Sequence, residues 1–318
     1  MKKIIVLAAV AAMLPVSLMA QTAPDGGLSP EVLSRISKGY TGTSYDKAVR
    51  NALAGSSVNV MATNAENASM IDTHFSDRVK TKGITDQKSS GRCWLFTGLN
   101  VLRAKMIEKY NLGSFTFSQN YLFFYDQLEK ANLFLQGVID TRKLPFDDRK
   151  VDWLFSNPLS DGGQFTGVSD LAMKYGLVPS EVMPETYSSN NTSQMALQLK
   201  TILRQGGLAL RAAYDASPAA SAKGKNAAAA EAKVNAELLK IKESVLTDVY
   251  RILSLCLGVP PASFEWSMYD SSDKLVSTEE YTPLSFYKKY VDEDLDGNYV
   301  MLMNDPTREY GKVAEVDY

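Results

Sequence analysis

Gln87-Lys88-Ser89-Ser90-Gly91-Arg92-Cys93-Trp94-Leu95-Phe96 is a polar, turn-forming run that stops at a cysteine, beyond which apolar residues recur. The junction predicts a loop feeding a helix. Ser89 and Ser90 are N-cap residues, Gly91 permits a tight approach, and Leu95, Leu99, Leu102 and Met106 share one helix face. Cys93 then sits in the first turn, where unpaired backbone N–H groups and the positive end of the helix dipole stabilise a thiolate. Arg92 adds a positive charge beside it. Upstream, Gln87 offers a side-chain amide that, with the Cys93 N–H, supplies two donors for the oxyanion of an acyl-transfer intermediate. The residue types alone leave an alternative open, because most unpaired cysteines are small buried hydrophobes.

The words around the cysteine shift that balance. Gly91-Arg92-Cys93-Trp94 resembles the papain-type signature, Cys-Gly-Ser/Ala-Cys-Trp, around a nucleophilic cysteine. Ser90 stands where papain-like enzymes carry a disulfide cysteine, and Arg92 where they carry a small residue. Gln-x-Ser-Ser-Gly-Arg-Cys-Trp-Leu-Phe is similar to the bleomycin hydrolase and bacterial aminopeptidase C branch of the papain superfamily. That resemblance implies Cys93 as nucleophile and Gln87 as oxyanion donor. It implies an α+β, papain-like fold with helical insertions, whose β-rich lobe is incomplete in this chain.

Asp161-Gly162-Gly163-Gln164-Phe165 is the second informative stretch. Two adjacent glycines leave the backbone bare, so an extended peptide can lie against it and bond main chain to main chain. A plain turn before a helix over 168–175 explains the glycines equally well. The papain superfamily places a Gly-Gly pair at its substrate wall, so the resemblance implies that Gly162 and Gly163 bind substrate.

With 318 residues, 45% of them apolar and 22% charged, the chain has ample length for a large core. The net charge is −2 with no basic block, which argues against a nucleic-acid partner. Residues 1–20 read as a secretory leader: Lys2 and Lys3, an apolar stretch too short to span comfortably, then small residues before Gln21. Export to a bacterial periplasm follows, with no membrane segment after cleavage. Residues 21–70 read as a flexible lead-in with helical candidates at 31–36 and 45–53. The peptidase-like domain is placed at 71–318. Cys93 and Cys256 are the only cysteines. Composition alone does not exclude a bridge between them, but Cys256 lies in an apolar helical run and reads as core.

His74 is the only histidine, and it precedes Cys93. Papain-like enzymes carry their histidine and asparagine well downstream of the cysteine, so His74 reads as a surface or capping residue rather than the base. Ser118 caps an aromatic-rich helix, and the family carries a very similar segment there. Residues 132–153 read as a helix pair broken at Pro145. An alanine-rich helical insertion is placed at 212–258, closed by Gly258 with Pro260 and Pro261 beyond. Residues 264–269 and 299–303 have strand composition, and Thr282-Pro283 starts a short helix. Asp292-Glu293-Asp294-Leu295-Asp296-Gly297 imitates half of a calcium loop, but Met303 occupies the bidentate position, so it reads as an acidic turn. No metal or organic cofactor is expected.

The resemblance runs over 71–318 and implies that the family's histidine and asparagine lie beyond Tyr318, so the chain reads as truncated. It also implies a thioester-forming cysteine peptidase that releases amino acids from peptide N-termini, and hexameric ring assembly. Two other classes stay open: a catalytically inactive papain-like binding or assembly module, and a cysteine amidase or acyltransferase.

Overall fold

A computed structural model of the protein describes residues 27–68, 70–79, 81–221, 227–291, 294–299, 309 and 311–312. The chain divides after Ser76 into two units. In the first, four described helices follow one another: α1 (Pro30–Gly39), α2 (Ser44–Gly55), α3 (Val58–Ala62) and α4 (Ala65–Ala68). Ser29, Thr43 and Ser57 each accept a hydrogen bond from the first turn of the helix that follows, and Thr43 and Asp46 form a reciprocal capping box. None of α1, α2 and α3 buries a residue, so local caps rather than a core shape this segment.

The second unit is organised on α5 (Cys93–Lys109), whose Leu95, Leu99, Leu102 and Met106 form the expected buried face. Across it lies α6 (Gln119–Asp140), capped by Ser118, which accepts from the Tyr121 N–H at 3.0 Å. Tyr121, Phe123 and Phe124 are buried, so the aromatics of α6 serve the core. The helix pair expected over 132–153 is instead the end of α6 followed by α7 (Arg149–Ser156). Next come α8 (Phe165–Tyr175), α9 (Tyr187–Asn190), α10 (Ser193–Asp215) and α11 (Ala227–Leu257). α10 and α11 pack against each other and against α6. Gly258, at φ +93°, ends α11 where glycine is the residue that tolerates a left-handed backbone.

Asn120 ties these helices together, donating from one amide to the carbonyls of Pro184 (2.8 Å) and Leu257 (2.7 Å). Strands β1 (Phe264–Tyr269) and β2 (Leu275–Tyr281) pair antiparallel, with Phe264 opposite Tyr281 and Trp266 opposite Glu279. β1 turns Phe264, Trp266 and Met268 inward onto α12 (Pro283–Tyr290), where Phe286 meets Trp266 edge-on at 5.2 Å between centroids. The expected leader at 1–20, residues 300–303 of the expected strand and Asp292-Glu293 of the acidic turn lie outside the described residues. What is described of that turn closes through the Gly297 N–H on Asp294 Oδ1 at 3.0 Å.

Candidate active site

Cys93 is the first residue of α5 and its side chain is exposed. The expected caps do not form. The N-cap is Arg92, which makes no side-chain cap bond, while Ser90 donates its hydroxyl to the Gln87 carbonyl at 2.6 Å and accepts from Arg92 Nε at 3.0 Å. The first turn beneath Cys93 therefore keeps backbone N–H groups that no capping side chain has claimed. Arg92 is also not a free charge beside the sulfur. Its side chain is fully buried, forks onto both carboxylate oxygens of Glu185 at 3.0 and 2.8 Å, and lies about 5 Å over the rings of Phe96 and Phe123.

Gln87 is held by the same loop. Its Nε2 donates to the Ser90 carbonyl. A carbonyl only accepts, so the amide must present its NH2 to that side, and the second N–H remains for another acceptor. Lys88 follows at φ +53°, a left-handed conformation that a lysine adopts only where its surroundings enforce it. Enforcement comes from the neighbouring strand-like contact: the Ser89 N–H donates to the Asn190 carbonyl at 3.0 Å.

Asp161 joins this loop to the glycine pair. Its Oδ2 accepts the Gly91 N–H at 2.7 Å and the Thr192 hydroxyl at 2.8 Å, and its backbone carbonyl accepts Trp94 Nε1 at 2.9 Å. Burial pushes the Asp161 carboxyl up, but the Gly91 N–H, the Thr192 hydroxyl and Lys130 pull harder, so its pKa lies below the ordinary aspartate value. A Cβ on Gly91 would stand 2.6 Å from Asp161 Oδ1, and one on Gly163 would stand 2.7 Å from the Trp94 ring. Both glycines are there because backbone must lie against these groups. The Gly162-Gly163 segment is thereby bolted to the helix that carries Cys93. Cys93, Gln87, Gly162 and Gly163 thus belong to one braced structure.

The sequence profile of the Peptidase C1-like family matches residues 27–318. The chain belongs to that family. Among its similar proteins are the aminopeptidase C of Lactobacillus delbrueckii subsp. lactis, 39% identical over 78% of this chain and 52% of that one, and the aminopeptidase G of the same organism, 37% identical over 90% and 62%. The crystal structure of PepW from Lactobacillus rhamnosis superposes with a TM-score of 0.72 at 33% identity, covering 85% of this chain and 57% of that one. This likeness carries the α+β, papain-like fold. The chain spans between half and two thirds of the length of these relatives.

In this Peptidase C1-like chain, Cys93 and Cys256 are both free thiols, so no bridge joins them. Cys256 is partly buried and packs on the core. His74 lies in the first unit, exposed, with its backbone N–H on Asp72 Oδ1 at 2.8 Å. Among the described residues no group of histidine, cysteine, aspartate and glutamate is placed to hold a metal ion, and no helix is long and apolar enough to cross a membrane. Motif spacing carries no sign of the bracing residues. Glu185 and Thr192 lie far along the chain, while Asp161 stands in the glycine stretch as its least distinctive letter.

Proposed function

We propose that this chain carries the nucleophile and substrate wall of a cysteine-type aminopeptidase acting on peptides. One observation carries the reading: an exposed cysteine on an uncapped first helical turn, braced through Asp161 to a bare Gly-Gly segment. In the proposed reaction the Cys93 thiolate attacks the scissile carbonyl carbon. A C–S bond forms and the carbonyl electron pair moves to oxygen, where the Cys93 N–H and the remaining Gln87 N–H stabilise it. Collapse expels the amine, which takes a proton from a general acid. Water then adds to the thioester as a general base removes its proton, and the acid is released with the thiolate restored. Restriction to peptide N-termini comes to the proposal from the aminopeptidase names of the relatives.

The Gly163 N–H and carbonyl make no hydrogen bond among the described residues, and we assign Gly163 as the unit that pairs with the substrate backbone. Export directed by residues 1–20 and homo-oligomeric assembly accompany this proposal; N-terminal sequencing of the mature chain and sedimentation test them. A second reading, a papain-like module that binds peptides without cleaving them, shares the same cysteine and glycine segment and differs from the first in turnover.

The test is intact-mass labelling of the purified chain by a thiol-directed epoxide peptidase inhibitor across pH. Cys93→Ala is the control, and aminoacyl-amide turnover is followed in parallel. Rapid single labelling at Cys93 with turnover is expected for the peptidase. Labelling without turnover favours the binding module. A rate no higher than that of an ordinary thiol overturns the activated nucleophile.

A further inference from the structure

The carbonyl of Gly162 is held by a single charged side chain. Lys130 of α6 donates from Nζ to the Gly162 carbonyl at 2.5 Å, to the Ser160 carbonyl at 3.1 Å and to the Asp126 carboxylate at 2.9 Å. An ammonium has three N–H donors, so these partners use its full complement. Gln127 repeats two of the contacts from the same helix, donating from Nε2 to Asp126 Oδ2 at 2.9 Å and to the Ser160 carbonyl at 3.1 Å. With Trp94 on the Asp161 carbonyl, three consecutive carbonyls, 160 to 162, are all drawn toward α5 and α6.

The consequence follows from peptide geometry. The Gly162 carbonyl and the Gly163 N–H belong to one planar trans unit and point in opposite directions. Drawing the carbonyl inward therefore turns the N–H outward. Glycine backbone imposes no such orientation by itself, because both residues rotate freely. The Trp94 ring packs against Gly163 and limits how far the segment can shift, but it offers no polar partner to the Gly162 carbonyl. The segment borders a cavity of about 770 Å³ between α6 and α8, lined by Trp94, Asp126, Lys130 and Gly163 among others.

We propose that Lys130 is a positioning residue that aims the Gly163 N–H at the substrate backbone, with Asp126 anchoring its ammonium. The inference rests on the assignment of Gly162-Gly163 as the substrate wall. Asp126 supports it. Burial pushes that carboxyl up to about 6, while Lys130 and Gln127 pull the other way. Folding thus disfavours the ionised form that the anchor needs, a conflict of the kind found where a charge serves function. The other charged groups around it are Glu129 on the same helix, Asp161 on the loop, and Asp170 and Lys174 on α8.

The experiment compares two alkylating probes of Cys93 in the full chain: iodoacetamide, which needs no backbone alignment, and a dipeptidyl vinyl sulfone with a free N-terminus, which does. Lys130→Met is expected to lose about tenfold or more in the second-order rate of the peptidyl probe, the size of one misdirected hydrogen bond. The iodoacetamide rate should stay within about twofold, and Lys130→Arg should recover part of the loss. Should Lys130→Met fold poorly with Asp126 left unpaired, the double variant Asp126→Asn/Lys130→Met removes both charges and is held to the same numbers. Unchanged peptidyl labelling overturns the proposal, and so does an equal fall with both probes, which marks a merely structural lysine. If the parent chain itself shows no preference for the peptidyl probe, the substrate-wall assignment fails before any variant is made, and the role of Lys130 fails with it.

Discussion

Arg92 and Cys93 are neighbours in sequence and opposites in environment, the first fully buried and the second exposed. A guanidinium taken out of water is tolerated only when its charge is matched, and Glu185 matches it with a two-pronged pair while two aromatic faces cover the rest. The motif places Arg92 correctly but misreads its use, because the partner lies ninety-three residues away and spacing carries no sign of it. The glycine pair separates in the same way: alike as letters, Gly162 and Gly163 differ in what surrounds them. A Cβ at Gly162 meets nothing closer than Ser160 Oγ at 3.5 Å, an ordinary contact, whereas at Gly163 it meets the Trp94 ring at 2.7 Å. Gly163→Ala is therefore expected to cost about 1–3 kcal/mol by overpacking and to slow peptidyl labelling of Cys93, while Gly162→Ala leaves the melting temperature near the parent's. Thermal melts and probe rates on the two variants check this. Equal behaviour of the pair would show that the Trp94 contact at Gly163 does not separate the two glycines.

At the scale of elements, legibility follows from whether a signal is local. The buried face of α5, the Ser118 cap and the Gly258 stop all show in neighbouring residues, and all form. β2 does not show: only Tyr281 of its seven residues is buried, so no alternation marks it as a strand. α10 carries Gly206-Gly207 in mid-helix, where each glycine costs about 1 kcal/mol against alanine. The helix tolerates them because it packs closely at both, with a Cβ at Gly206 placed 2.6 Å from Val245 and one at Gly207 3.0 Å from Phe155. On α6 the buried Asp126 and the half-buried Lys130 stand four residues apart, a common surface pairing in which only the fold reveals that the carboxylate is buried. That burial predicts a pH dependence. A carboxyl raised from 3.8 to about 6 binds its proton more tightly in the folded chain. The resulting stabilisation is complete below the unfolded value and is lost as pH rises through about 6. Asp126→Asn does not suffer that loss, so the melting temperature of the variant minus that of the parent should grow more positive between about pH 4 and about pH 8. Scanning calorimetry at a series of pH values reads the slope, and a slope of the opposite sign would show that the Lys130 pair outweighs burial.

For the whole molecule the question is where a proton comes from. Bond cleavage by a cysteine needs an acid for the leaving amine and a base for water, and a histidine serves both in papain-like sites. This chain holds one histidine, His74, in a unit separate from the one that carries Cys93, and it spans between half and two thirds of the length of its relatives. A base that formed a pair with the cysteine would hold it as thiolate and accelerate alkylation at low and neutral pH, where an unassisted thiol is slow. If His74 is a surface residue, as its exposure and place in the sequence argue, His74→Ala leaves the iodoacetamide rate at Cys93 within about twofold across pH. If His74 is the base, the same variant slows alkylation about tenfold or more and moves the midpoint of the pH profile upward, because the imidazolium that favours the thiolate is gone. Stopped-flow labelling of parent and variant over pH decides between them, and the first outcome is the one expected.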